Sequence, residues 1–255
     1  MFPLRDENPH PPGFKPKVTI ALIIVNVIVF FMEVAYTGQF LDFSNEKAFV
    51  MFYNWGAVPA CVTGTYSGID TGNGIMQCPA FSEITLLTST FMHGGLLHLG
   101  GNIWFLWIFG DNIEEKFGKV KYIGIYLMWG ISAGLIHILG DPNSAIPAVG
   151  ASGAISGVLG AYLMIFPRAR VQTFMMLGFF WRMMHIQARW FLPFWLVFQN
   201  LLPFFIGGFG IAGGGVAYLA HIGGFAVGLG TGYIYKKMHS SDSMYGTRYG
   251  YRPDY

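Results

Sequence analysis

ASGAISGVLGAYLMIF, residues 151–166, carries no charged side chain in sixteen positions and combines small residues with large apolar ones. Such a run is near the length that crosses a bilayer as a helix, and the chain around it has the same character. Of 255 residues, 53% are hydrophobic and 11% charged, with a mean hydropathy of +0.48. A soluble domain carries roughly 25% charge, so this apolar surface has to face lipid. Working outward from residues 151–166, polar interruptions divide the chain into spans at Val18–Tyr36, Leu96–Phe109, Tyr122–Leu139, Ala151–Phe166, Trp190–Ile206 and Val216–Tyr235. The fold class is therefore all-α, a polytopic membrane protein built as a six-transmembrane-helix bundle. The second span is short, and its helix is expected to continue upstream through His93 and Gly94. The first is too long, and lacks a small-residue cleavage site, to be a removable signal peptide.

Lys and Arg alternate between the connections. Arg5, Lys15 and Lys17 precede the first span, Lys116, Lys119 and Lys121 follow the second, Arg168 to Arg189 follow the fourth, and Lys236 and Lys237 follow the sixth. The other connections, at about 37–90, 140–150 and 207–215, hold a single Lys, Lys47. By the positive-inside rule both termini are cytoplasmic and these three loops face outward. The organisation is then a cytoplasmic segment at 1–17, a membrane domain at 18–237 and a disordered cytoplasmic tail at 238–255. The Pro-rich stretch Asn8–Gly13 and the Ser/Gly/Tyr/Arg-rich tail are too polar to bury a core. Val171–Phe180 is apolar but too short to cross, and reads as an interfacial or re-entrant piece. No internal repeat of the transporter kind is visible. Cys61 and Cys78, the only cysteines, fall in the first outward loop on the oxidising side and are expected to form a disulfide.

Strongly polar groups inside membrane spans are costly, which makes them candidates for function. His93, His98 and Asn102 cluster at the entry of the second span, with His98 and Asn102 one helical turn apart. Gly150-Ala151-Ser152-Gly153 opens the fourth, and His221 stands alone in the sixth. A Ser at a helix N-terminus is surrounded by backbone N–H groups without helical partners, and the helix dipole there favours developing negative charge. Ser152 lies in the first turn of its helix and His221 about five residues into its own, roughly 8 Å deep, so nucleophile and base share a depth. Gly153/Gly157 and Ala220/Gly224/Gly228 form rows of small residues that would let the two helices touch. His137 lies near an outer helix end without a partner pattern and reads as structural, while His10, His185 and His239 fall in cytoplasmic segments out of reach. The spans are expected to offer no carboxylate to orient His221 and no Cys ligand for a metal.

These residues resemble the rhomboid intramembrane serine proteases. The resemblance covers Val18 to Lys237 and rests on His93-x4-His98-x3-Asn102, Gly150-Ala151-Ser152-Gly153, Ala220-His221-x2-Gly224 and Phe109-Gly110-Asp111-Asn112-x-Glu114-x3-Gly118. It implies that Ser152 is the nucleophile and His221 the base. His98, Asn102 and the Ser152 N–H would hold the oxyanion, with His93, Gly150 and Gly153 in support. Two features depart from the family. The first outward loop has Trp55 but no Arg, and Ser156 stands where some members place a Tyr that stacks on the catalytic His.

The implied reaction is cleavage of single-span membrane proteins near the outer face, with membrane lipid as the other partner, no cofactor, no metal and no nucleic acid. The Gly-rich connection 207–215 is expected to cap the site or serve as a simple turn. The compact six-span layout suggests a prokaryotic inner membrane. Alternatives are a non-catalytic rhomboid-like protein that binds membrane clients, and a channel or metal transporter using His93, His98 and His221.

Overall fold

A computed structural model describes residues 1–70, 74–177, 180–206 and 217–239. Strand β1 (Phe2–Asp6) leads to helix α1 (Lys17–Thr37), whose first N–H groups cannot be satisfied within the helix. The Glu114 carboxylate supplies the partner, accepting from the Val18 N–H at 3.0 Å, the Thr19 N–H at 2.8 Å and the Thr19 hydroxyl at 2.9 Å. A negative group at a helix N-terminus also suits its dipole. The 109–118 motif therefore anchors the start of α1.

A long connection follows, with α2 (Glu46–Trp55), α3 (Pro59–Val62), the hairpin β2 (Gly68–Asp70) and β3 (Ile75–Gln77), and α4 (Thr85–Thr88). Cys61 and Cys78 are joined by a disulfide with Cα atoms 5.4 Å apart. Ala57 and Ala148 exchange backbone hydrogen bonds of 3.0 and 2.9 Å, which tie this connection to the loop at 141–150.

The next helix, α5 (Leu96–Phe117), does not reach upstream through His93 and Gly94 as expected. Gly95 has φ +154, which a right-handed helix cannot use, and the Leu96 N–H turns away to the Leu41 carbonyl at 3.2 Å. The helix gains its length at the other end, running to Gly118. There φ is +73 and the chain turns directly into α6 (Lys119–Gly140).

Helix α7 (Ser152–Ile165) sits at the centre, with every residue from Gly153 to Tyr162 buried. Its main partner is α10 (Tyr218–Met238), and the two rows of small residues meet backbone to backbone. A β-carbon on Gly224 would lie 2.1 Å from the Gly153 carbonyl oxygen, and one on Gly228 2.0 Å from that of Gly157. Any larger side chain would push the helices apart. Trp129, Tyr122 and Tyr126 of α6 are fully buried beside them.

Residues 170–177 and 180–187, which take in most of the apolar run too short to cross, form two strands. β4 (Arg170–Leu177) and β5 (Phe180–Gln187) make an antiparallel hairpin, and β1 adds to the free edge of β4 in the order β1-β4-β5. Val171 and Thr173, on one face of β4, are fully buried, the alternation of a half-buried strand. The N-terminal segment is also bound rather than loose. Asn8 donates to Asp6 at 3.1 Å and to Tyr162 at 2.8 Å, and His10 bonds Glu115 at 2.7 Å and Asp111 at 3.1 Å. Its polarity, which argued against core formation, satisfies polar side chains at the end of the bundle.

Then come α8 (Ala188–Leu196), a π-helical turn at Val197–Leu201 and α9 (Leu202–Ile206). Among the described residues α1 and α6 are long and apolar enough to cross a membrane, by length and composition. α7, with 14 residues, is about 21 Å long, less than a bilayer's hydrocarbon core. The Gly-rich connection 207–215 and nearly all of the tail lie outside the described residues.

Candidate active site

Ser152 is the first residue of α7, where the turn at Gly150-Ala151 delivers it. Gly150 has φ +132 and its N–H is held by the Ser89 carbonyl at 2.8 Å. The first intrahelical bond runs from the Ile155 N–H to the Ala151 carbonyl, so the N–H groups of Ser152, Gly153 and Ala154 precede the ladder. His221, in the first turn of α10, meets the hydroxyl across the contact of small residues, with Nε2 2.7 Å from Ser152 Oγ.

The other face of the pocket comes from α5. The Gly94 N–H donates to His98 Nδ1 at 3.2 Å, which makes Nδ1 the acceptor and leaves the proton on Nε2. A β-carbon on Gly150 would lie 2.8 Å from His98 Nε2 and 3.5 Å from Ser152 Oγ, so the imidazole N–H edge stands against the turn that carries Ser152. Asn102 is buried one turn along α5 and donates to the His98 carbonyl at 2.9 Å. That contact is to its own helix and not to Ser152. The His93 ring packs edge-on to His98 with centroids 5.3 Å apart, and its nitrogens have no protein partner among the described residues.

Three contributors escaped the sequence reading. Glu33, a carboxylate buried in α1, accepts the His93 N–H at 3.2 and 3.3 Å, contrary to the expectation that the spans lack such groups. It steadies the loop entering α5 and does not orient His221. Asn200, within the π-helical turn, places Oδ1 2.6 Å from His221 Nδ1. Its presence in an apolar span was the available signal. His137, read from the sequence as structural, lines a cavity of about 30 Å³ together with Ser152, Gly150, Ala217 and Ala220. A larger cavity of about 500 Å³ is lined by Val29, Met32, Glu33 and Trp55 and shares no lining residue with the cavity at Ser152. Ser156 is buried and its hydroxyl has no partner among the described residues. His10 and His185 bind carboxylates at the opposite end of the bundle.

The Rhomboid domain family model matches residues 81–238. The chain is 29% identical over 165 residues to rhomboid protein 1, mitochondrial, of Saccharomyces cerevisiae, covering 61% of this chain and 43% of that protein. It is 39% identical over 80 residues to the rhomboid protease GluP of Bacillus subtilis, covering 31% and 15%, and 33% identical over 88 residues to the human presenilin-associated rhomboid-like protein, mitochondrial, covering 34% and 23%. It thus spans less than half the length of each. With the family match extending over more than half of its length and taking in the Ser152, His221, His98 and Asn102 positions, the chain belongs to the rhomboid family of membrane proteins.

Proposed function

We propose that this protein is an intramembrane serine endopeptidase that cleaves transmembrane segments of single-span proteins near the outer face of the membrane. The observation that carries the reading is the 2.7 Å contact between Ser152 Oγ and His221 Nε2 at a helix N-terminus. His221 Nε2 takes the hydroxyl proton as Ser152 attacks the scissile carbonyl, and returns it to the departing amine. Water then attacks the acyl-enzyme by the same route in reverse. The negative charge on the tetrahedral oxygen falls among the Ser152 N–H, His98 Nε2–H and the Asn102 amide, with Gly150 and Gly153 leaving room and His93 supporting His98. Donors aimed where charge develops, in a site screened from lipid, supply a large share of such a rate.

The distribution of Lys and Arg supports cytoplasmic termini and six crossings, with α8 to α9 as one of them and α7 as the shortest. The compact layout supports a prokaryotic inner membrane, although the relatives are bacterial, mitochondrial and chloroplastic. A metal-transport reading is disfavoured because both His221 ring nitrogens are engaged, by Ser152 and Asn200. A non-catalytic client-binding reading would sit better with a lost nucleophile or base, and both are present in contact.

The deciding experiment is labelling of the purified protein by a fluorophosphonate. Wild type should be labelled and Ser152→Ala should not. A wild type inert to the probe and to a transmembrane test substrate would favour the client-binding reading.

A further inference from the structure

The geometry points to Asn200 as a positioning residue that converts the Ser152–His221 pair into a Ser-His-Asn triad; this deepens the protease reading and rests on it. An imidazole can act as general base through one nitrogen only if the proton sits on the other. For His221 Nε2 to accept from Ser152 at 2.7 Å, Nδ1 must carry the hydrogen, and a hydrogen held inside the bundle needs an acceptor. The Asn200 amide oxygen is that acceptor, at 2.6 Å, on a side chain that is 1% exposed. The bond fixes the tautomer and the plane of the ring together, the role an orienting group plays in hydrolases of unrelated fold.

The local chain explains why Asn200 arrives there. Gln199 and Asn200 are adjacent polar residues in an apolar helical run, yet Gln199 is exposed and Asn200 buried. Pro203 has no N–H to return to the Gln199 carbonyl, and its ring crowds that carbonyl, which disfavours a regular α-helical turn there. The helix widens, with the Leu202 N–H bonding the Val197 carbonyl in the i to i+5 pattern. A π turn shifts the register of the side chains that follow, and turns of this kind recur at functional sites. Here the shift points Asn200 at His221. The Asn200 Nδ2 has no hydrogen-bond partner among the described residues, so His221 is what holds the amide.

The test uses purified full-length protein in detergent or liposomes and three variants. Asn200→Leu keeps the volume and removes the acceptor, Asn200→Asp keeps an oxygen and removes the amide N–H groups, and Ser152→Ala reports on the protease reading itself. Cleavage of a transmembrane substrate and the rate of fluorophosphonate labelling are read beside the ¹⁵N chemical shifts of the His221 imidazole, which report its tautomer without any turnover. Asn200→Leu should lower kcat about 10²-fold, the scale of a general-base contribution, with KM within about twofold. Its labelling should slow in parallel, and His221 should lose the Nδ1–H tautomer. Asn200→Asp should recover kcat to within about tenfold of wild type. A wild-type His221 carrying its proton on Nε2 would overturn the proposal, as would full kcat in Asn200→Leu or equal loss in the Leu and Asp variants. An Nδ1–H tautomer held by Asn200 in a protein that neither cleaves nor labels would instead overturn the protease reading and leave the positioning role intact. The wild-type tautomer and the Asp variant keep the test decisive if Asn200→Leu fails to fold.

Discussion

At Gly150 the conformation and the space both exclude a side chain. Its φ of +132 is strained for any L-residue, and a β-carbon would collide with His98 Nε2 at 2.8 Å. Gly150→Ala should therefore cost about 1–3 kcal/mol of backbone strain and displace His98 from the pocket. The expected outcome is a Tm a few degrees lower and a kcat reduced at least tenfold, measured by thermal unfolding and steady-state cleavage. Ser152→Ala and His221→Ala should each abolish cleavage with the fold intact, and retained turnover in either purified variant would remove the dyad. Asn102 tests a different group. Its amide bonds the His98 carbonyl with one N–H, leaving the other for the developing oxyanion. Loss of a single donor should lower kcat by roughly 10²–10³ in Asn102→Ala and leave KM nearly unchanged, because the donor acts mainly on the charged species. A variant with full kcat and weakened substrate affinity would make Asn102 a helix-packing or docking residue. The residue patterns legible in the sequence were those confined to one turn of chain: a Ser between glycines, and a His and Asn four apart. Asn200 and Glu33 carry no motif, and their roles depend on partners 21 and 60 residues away.

The α7–α10 contact brings Ser152 and His221 together, and it is built from missing side chains. Gly224→Val should force the helices apart, since even the first carbon would lie 2.1 Å from the Gly153 carbonyl. Overpacking of this sort costs about 1–3 kcal/mol, and the associated shift should separate Ser152 from His221. The signature is a loss of fluorophosphonate labelling that exceeds the loss of stability; normal labelling in a folded Gly224→Val protein would show that the pair tolerates the displacement. The connection between α1 and α5 is stabilised differently. The Cys61–Cys78 bridge closes a segment 17 residues apart in sequence, for which the chain-entropy picture gives about 3 kcal/mol. A Cys61→Ser/Cys78→Ser double variant should be nicked faster by protease between residues 62 and 77, and free thiols in wild type isolated without reductant would contradict the bridge. The hydropathy pattern located these helices well but misjudged their ends. Gly95 stops α5 at a point where composition alone allowed it to continue, and two short strands occupy the apolar run after α7.

Across the whole molecule, the end opposite the dyad is closed by the N-terminal segment, whose docking depends on protons. Burial raises the Asp6 carboxyl to about 6, with Asp111 adding repulsion against the hydrogen bonds from Tyr162 and Asn112. A carboxyl whose bound value lies above its free value favours docking when protonated, so docking weakens as pH rises from about 4 to about 6. His10 is opposed by burial, but its bonds to Glu115 and Asp111 outweigh this and raise its value. Its contribution is complete below 6.5 and disappears as pH rises through the raised value. Both groups act in the same direction. Hydrogen-exchange protection of the Glu7 N–H, which bonds the Arg170 carbonyl at 2.9 Å, should fall between pH 5 and pH 8 after correction for intrinsic exchange. Protection that is flat or rises over that range would show that other contacts govern docking.

What the sequence determined by itself follows from short-range physics. The scarcity of charge fixed the membrane class, small residues marked the helix faces able to approach, and Ser152 at a helix start defined where an oxyanion could be held. The tertiary structure decided everything that required two distant segments to meet. Strand β1 finds its partner in β4, some 170 residues later, and Glu114 caps a helix that begins nearly 100 residues before it. The acceptor facing His221 comes from Asn200, in the widened turn before Pro203. Hydrophobic periodicity specifies which face of a segment is buried but not which chain covers it, and a hydrogen bond's worth depends on the partner that burial brings within about 3 Å.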